Sequence, residues 1–305
     1  MKTNILLYGF SSGTCEFDRY HITQASIMRR ILKSSVLAMA LCILSSCAIA
    51  ENTQSYTISP ETEYVLVQSD LLSSQQGRIS SFDKNGKEIQ HANITFQDGG
   101  YIAVDKNRDF YVAGERGNDN VIFTRGKAQF FHQLDERDRS GATAIYLDET
   151  TSYASMNGTF SQEDGYYTLF VARDRKTNKT LYQTRIPLYA YSILEYHNDI
   201  YTLGDNQSAI TNNAVVSILD KKTGKIKKTH HFKEYTGITD AYVYKNMLFV
   251  VVQRNYDPFE YEIMRWNEGN LVPLDETYIS HADEGIKINV ADDIIYGMEE
   301  SRILP

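Results

Sequence analysis

Residues capable of chemistry are present in this chain but scattered. The seven histidines are His21, His91, His132, His197, His230, His231 and His281, and none has the close spacing by which imidazoles share a zinc ion. His230 and His231 are adjacent, but neighbouring side chains on a strand point to opposite faces and cannot reach one ion together. The run Asp105-Lys106-Asn107-Arg108-Asp109 alternates oxygen donors as a calcium loop does, yet lacks the central Gly and the terminal Glu. It reads instead as an Asp/Asn turn between two strands. Asp283 and Glu284, with His281 nearby, read as a solvated turn. No Gly-x-Ser-x-Gly elbow and no Gly-rich phosphate loop occurs in residues 51–305. A carboxylate pair of the glycosidase kind would have to come from distant parts of the chain.

Recognition chemistry is better represented than catalysis. Five polar connections, 69–77, 114–120, 157–165, 204–213 and 254–259, carry a few aromatic and basic residues. The candidate binding residues in them are Arg116, Asp119, Asn206, Arg254 and Tyr256. Loops positioned by a rigid scaffold are where binding groups concentrate, so the next question is what scaffold holds them.

That scaffold shows as a repeat. Aromatic anchors Tyr64, Tyr111, Tyr153, Tyr201, Phe249 and Tyr296 follow one another at intervals of 47, 42, 48, 48 and 47 residues. Each lies in a short alternating apolar run, such as Asp199-Ile200-Tyr201-Thr202-Leu203. A β-patterned period in the forties predicts a propeller, one four-stranded blade per repeat. After the anchor comes a strand, a turn of the form Asp-x-x-Thr-Gly-Lys, and another strand. It is clearest from Val216 through Asp220-Lys221-Lys222-Thr223-Gly224-Lys225 to Ile226, and degenerate around Asp83, Asp174 and Asn267. Asp bonding its own backbone and Gly or Asn supplying a positive φ make that turn a tight hairpin.

These repeats, best developed over 199–229, resemble the quinoprotein-like and YVTN-type propellers of bacterial envelope proteins. The resemblance is architectural and spans roughly residues 55–300. It implies an all-β fold of four-stranded blades over 55–97, 98–138, 139–187, 188–233 and 234–280, and a partial sixth blade whose strands surround Tyr296. It implies no cofactor, because Trp266 is the sole tryptophan and the Trp pattern of quinone enzymes is missing. The Gly-His and Trp-Asp pairs of WD40 repeats are missing too. Ring closure stays open between a strand borrowed by the first blade and a truncated reading frame.

The N-terminal region speaks to destination. Arg29, Arg30 and Lys33 precede an apolar run over 36–44, then Ser45-Ser46-Cys47-Ala48-Ile49-Ala50. A basic stretch, a short apolar stretch and small residues make a secretory signal over 28–50. Leu44-Ser45-Ser46-Cys47 resembles a bacterial lipobox, which implies lipid attachment at Cys47. Ala48-Ile49-Ala50 also fits ordinary signal-peptidase cleavage. Residues 1–27 contain Glu16 and Asp18, which a signal avoids, and read as a mis-annotated leader. The domain proper is then 51–305, with 26 Lys/Arg against 37 Asp/Glu, no cysteine and no disulfide. Its negative charge excludes nucleic acid as a partner.

The expectation is an exported, membrane-anchored lipoprotein of the cell envelope, acting as a binding or scaffold protein toward a protein, peptide or glycan. A soluble periplasmic or secreted form is the alternative destination. The alternative function is an envelope hydrolase or lyase with carboxylates at the central channel; no metal is expected in either case.

Overall fold

The computed structural model describes residues 3–9, 19–20, 59–70, 77–94, 97–105, 109–116, 119–124, 127–132, 142–156, 160–161, 165–207, 212–256, 259–274, 279–280, 286–291 and 294–299. All regular structure among them is strand. Strands β1 (Thr3–Gly9), β2 (Arg19–Tyr20), β3 (Tyr64–Asp70), β4 (Gly77–Phe82) and β5 (Glu88–Ile94) form a first sheet in the order β2-β1-β3-β4-β5. Four strands, β6 (Gln97–Val104), β7 (Phe110–Arg116), β8 (Asp119–Thr124) and β9 (Lys127–His132), make the second. The third takes β10 (Ala142–Leu147) and β11 (Thr151–Met156), then, past a small ribbon of β12 (Phe160–Ser161) and β13 (Gly165–Tyr166), β14 (Thr168–Asp174) and β15 (Thr180–Ile186). In the fourth are β16 (Tyr189–Tyr196), β17 (Asp199–Asp205), β18 (Ala214–Asp220) and β19 (Ile226–Phe232). A fifth holds β20 (Gly237–Tyr244), β21 (Met247–Tyr256), β22 (Phe259–Asn267) and β23 (Asn270–Pro273), with β24 (Ile279–Ser280) also on β22. Finally β25 (Ile286–Ala291) pairs with β26 (Ile294–Glu299).

Every pairing is antiparallel, and within the second to fifth sheets the strands follow one another in chain order. The leading strands β6, β10, β16, β20 and β25 touch in succession. Such a series of meandering sheets packed face to face is β-propeller-like. In the first sheet, 55–97 supplies three strands, and the place beside β3 is taken by β1, which pairs along its full length from Thr3↔Asp70 to Gly9↔Tyr64. The first repeat thus contributes three strands to its sheet, and β1 lies in the fourth place beside β3.

The anchors explain the packing. Alternate residues of a strand face opposite ways, and here both faces are buried against neighbouring sheets. Ile200 packs toward the third sheet with Tyr153, Phe170 and Leu188. Tyr201 and Leu203 pack toward the fifth with Val250, Val252 and Trp266. Tyr111 joins Ala154, Met156 and Val171 of the third sheet. Trp266 sits edge-on to Tyr201, His230 and Phe232, at centroid distances of 5.8, 5.1 and 6.1 Å. His230 is thus a packing residue, and burial lowers its pKa.

The hairpins form as their residue types require. Asp220 Oδ1 accepts the Thr223 N–H and hydroxyl at 2.9 and 2.8 Å, and Gly224 adopts φ 70°. Asp174 does the same with Thr177, and Asn178 takes the positive φ. Asp83 accepts from Asn85 and Lys87 beside Gly86. The residue after two of these aspartates then crosses to the preceding sheet. Arg175 reaches Asp105 Oδ2 and Asp109 Oδ2, each at 2.6 Å, and these side chains are 5, 2 and 8 % exposed. Lys221 reaches Asp148 Oδ2 at 2.9 Å and, within its own sheet, Glu195 at 2.5 Å. Burial works to raise the Asp148 pKa, but hydrogen bonds from Lys221, Thr150 and Thr151 outweigh it and hold the carboxyl low. Asp105 Oδ1 accepts the Asp109 N–H at 2.9 Å, and the two carboxylates hold Arg175 between them, bolting two sheets together.

Candidate functional site

The hairpin rim of the fourth sheet is occupied by these inter-sheet ties; the opposite rim of the same strands is arranged differently. There β16 begins and β17 ends, with Tyr189 paired to Asp205. β17 runs through Asp205, so the connection taken as 204–213 is shorter, closed by Asn206 N–H to Asn213 O at 3.1 Å and Asn213 N–H to Asn206 Oδ1 at 2.9 Å. Asn206 is thereby a loop clasp.

Asp205 is the centre of this rim. It is 3 % exposed. Its Oδ1 accepts the Gln207 N–H at 2.7 Å, and its Oδ2 accepts the Tyr191 hydroxyl at 3.0 Å and the Gln207 side-chain amide at 3.5 Å. Burial raises the Asp205 pKa, opposed by these donors. Tyr191 owes its position to a bulge in β16, between Ala190 and Ser192. A bulge inserts one residue and re-aims it. The second, third and fifth sheets carry the same irregularity at Gly99/Tyr101, Ala142/Ala144 and Ile238/Asp240, so the extra residues are Gly100, Thr143, Tyr191 and Thr239. Only the fourth sheet places a phenol there. Tyr189 and Tyr191, both half-buried, have ring centroids 4.8 Å apart.

Glycines shape the surroundings. A Cβ on Gly204 would lie 1.7 Å from the Tyr189 carbonyl oxygen, so glycine alone admits this close approach of β16. A Cβ on Gly237, where β20 begins, would meet Asp205 Cβ at 3.6 Å, Asp205 Oδ2 at 3.8 Å and Gln253 Oε1 at 3.9 Å. Those are ordinary contacts. Gly237 therefore leaves a gap about one methyl group wide between a carboxylate of the fourth sheet and an amide of the fifth.

Arg254 lies in strand, not in a loop. β21 continues to Tyr256, which pairs with Phe259, and Arg254 is the bulged residue between Gln253 and Asn255. Its Nε and one terminal nitrogen donate to Glu262 Oε2 at 2.8 and 2.5 Å, and its guanidinium lies 5.7 Å from the Tyr235 ring centroid. Glu262 is 1 % exposed against 40 % for Arg254, so the arginine neutralises a buried carboxylate. Arg254→Ala should lower stability by about 1–3 kcal/mol, less than a fully buried pair because solvent screens the arginine. Chemical denaturation measures it, and adding Glu262→Gln should restore most of the loss.

Arg116 ends β7 and Asp119 begins β8, so the 114–120 connection is also mostly strand. Antiparallel pairing, of β7 with β6 and of β21 with β22, takes up residues whose polarity had suggested loop. Cys47, His281, Asp283 and Glu284 lie outside the described residues. Among the described residues, no three His, Cys, Asp or Glu side chains gather as a metal ligand set. Asp205, Tyr191 and Gln253 were missed from sequence. The available signal was an acid four residues after the Tyr201 anchor, on the same buried face of the strand.

No family model matches the chain, and no curated protein matches its sequence. Solved structures do resemble it. One is a functionally unknown protein from Desulfotomaculum acetoxidans DSM 771, with a TM-score of 0.53, 15 % identity, and coverage of 76 % of this chain and 72 % of that one. Another is the Pan2 WD40 domain of Neurospora crassa, with a TM-score of 0.49, 12 % identity, and coverage of 78 % and 68 %. At 15 % identity the first likeness concerns fold alone, and the sheet order of the chain itself establishes a β-propeller-like, all-β protein.

Proposed function

We propose that the chain is an exported binding protein: a propeller of the quinoprotein-like or YVTN-repeat type, with five blades, the first completed by a strand from outside its own repeat, and a partial sixth. A lipid on Cys47 holds it at the membrane, and the rim around Asp205 faces a protein, peptide or glycan in the cell envelope. The observation that carries this reading is the difference between the two rims. On one, Arg175 and Lys221 are consumed by carboxylates of the preceding sheet. On the other, half-buried tyrosines and the exposed Gln207 surround a buried carboxylate. Polar groups held on a rigid scaffold with partial exposure suit recognition. The alternative, a hydrolase or lyase, draws on the same Asp205, whose burial-raised pKa is what a general acid needs.

Cleavage before Cys47 removes β1, so β3 of the mature protein would require another neighbour. Labelled palmitate should enter the wild type and not Cys47→Ala; equal labelling refutes the anchor. A bulky maleimide label on Gln207→Cys should block capture of a partner from envelope membranes, while the same label on Lys222→Cys, in the opposite hairpin, should not. Equal capture by both contradicts the assignment of the binding rim.

A further inference from the structure

We propose that Asp205, the Tyr191 hydroxyl and the gap over Gly237 form a subsite for a primary alkylammonium group, supplied by a lysine side chain of a partner or by a free amine. The proposal rests on the binding-protein reading above and names the chemistry of its ligand.

The argument starts from unmatched charge. Asp105, Asp109 and Glu262 are buried, and each has a guanidinium nitrogen within 2.6 Å. Asp205 is as buried as these, yet its partners among the described residues are a phenol, a backbone N–H and a side-chain amide. A buried carboxylate without a cation is a costly arrangement. Ionised, it offers about four acceptor positions, of which three donors are in place. The remaining demand is for a positively charged donor.

The surroundings suit one. The methyl-sized space at Gly237 lies 3.8 Å from Asp205 Oδ2 and 3.9 Å from Gln253 Oε1. An ammonium has three N–H donors and no acceptor, so two oxygens facing one gap match it better than they match an anion or an apolar group. The paired rings of Tyr189 and Tyr191 offer aromatic surface to the adjoining methylenes, and tyrosine faces attract cations. Arg254, next to Gln253 in β21, is matched by Glu262. The net charge of −8 attracts cationic ligands at longer range.

The test is titration of the full chain with n-butylammonium and with a lysine-containing tripeptide, followed by NMR at the Gly237 and Gln253 amides. n-Butanol serves as the neutral control. Both cations should shift these amides and butanol should not; tighter binding of the tripeptide identifies a peptide source, and equal binding a free amine. Asp205→Asn keeps the shape and removes the charge, and should weaken binding at least about tenfold. Gly237→Ala places a methyl in the gap at ordinary contact distances, and should weaken binding with the melting temperature unchanged. Absence of shifts in the wild type, or unchanged affinity in folded Asp205→Asn or Gly237→Ala, overturns the subsite. Palmitate labelling and partner capture are read independently, so the subsite can fail while the binding-protein reading stands.

Discussion

Arg175→Ala should be among the most damaging single substitutions in this protein. Arg175 lies between Asp105 and Asp109 of the preceding sheet, with all three side chains at most 8 % exposed. Its guanidinium also donates to the Asp148 carbonyl. Removing it takes a bidentate guanidinium away from two buried carboxylates. Breaking a buried pair in this way costs about 3–5 kcal/mol, and in a domain of this size that lowers the melting temperature by roughly 10 °C. Arg175→Lys should recover only part of the loss, since an ammonium cannot reach two carboxylates with a planar fork. Adding Asp105→Asn and Asp109→Asn to Arg175→Met should restore stability. A loss below about 1 kcal/mol for Arg175→Ala, the range of an exposed pair, would show that the two sheets are not joined here.

Gly204→Ala is the second large effect, and it acts through space. The new Cβ would stand 1.7 Å from the Tyr189 carbonyl oxygen, 2.8 Å from its carbon and 3.1 Å from Ala190 Cα. These are backbone atoms of the paired strand, so no rotamer change relieves the contact. Strand β16 must move away from β17, at a cost of about 3 kcal/mol by analogy with overpacked cores. Because Tyr191 is set by the bulge in that part of β16, its bond to Asp205 should be lost with the register. Urea unfolding and the Asp205 side-chain NMR signal report the two consequences separately. Gly237→Ala is the contrast, since its nearest neighbour is 3.6 Å away and stability should be retained. Wild-type stability in Gly204→Ala would refute the close approach.

Much of the scaffold was legible in the sequence because it is written in local chemistry. The anchors Tyr111, Tyr153, Tyr201 and Phe249 all lie in second strands of their sheets, since strand alternation needs only a few consecutive residues to show. The Asp-x-x-Thr-Gly turn was legible for the same reason: Asp220, Thr223 and Gly224 satisfy one another within five residues. What could not be read depended on distance. Arg175 and Asp105 are 70 positions apart, and nothing local distinguishes that arginine from a solvated turn residue. Arg254 and Tyr256 looked like loop because Asp257-Pro258 interrupts the apolar pattern, yet β21 continues to Tyr256 through a bulge. Asp205 was hidden twice over. Gly204 appeared to end the strand, and the residue that makes the acid notable, Tyr191, is aimed at it by an irregularity in another strand.

The candidate site therefore depends on one seam, between the end of β17 and the start of β20. A disulfide tests that seam directly. Asp205 Cβ and a Cβ built on Gly237 are 3.6 Å apart, inside the range of about 3.5–4.5 Å that a disulfide spans. The double substitution Asp205→Cys with Gly237→Cys should cross-link on mild oxidation, giving a peptide pair that joins the fourth and fifth sheets in mass mapping. Either cysteine alone should give none. Failure of the folded double variant to form this bond would contradict the packing on which the candidate site is built.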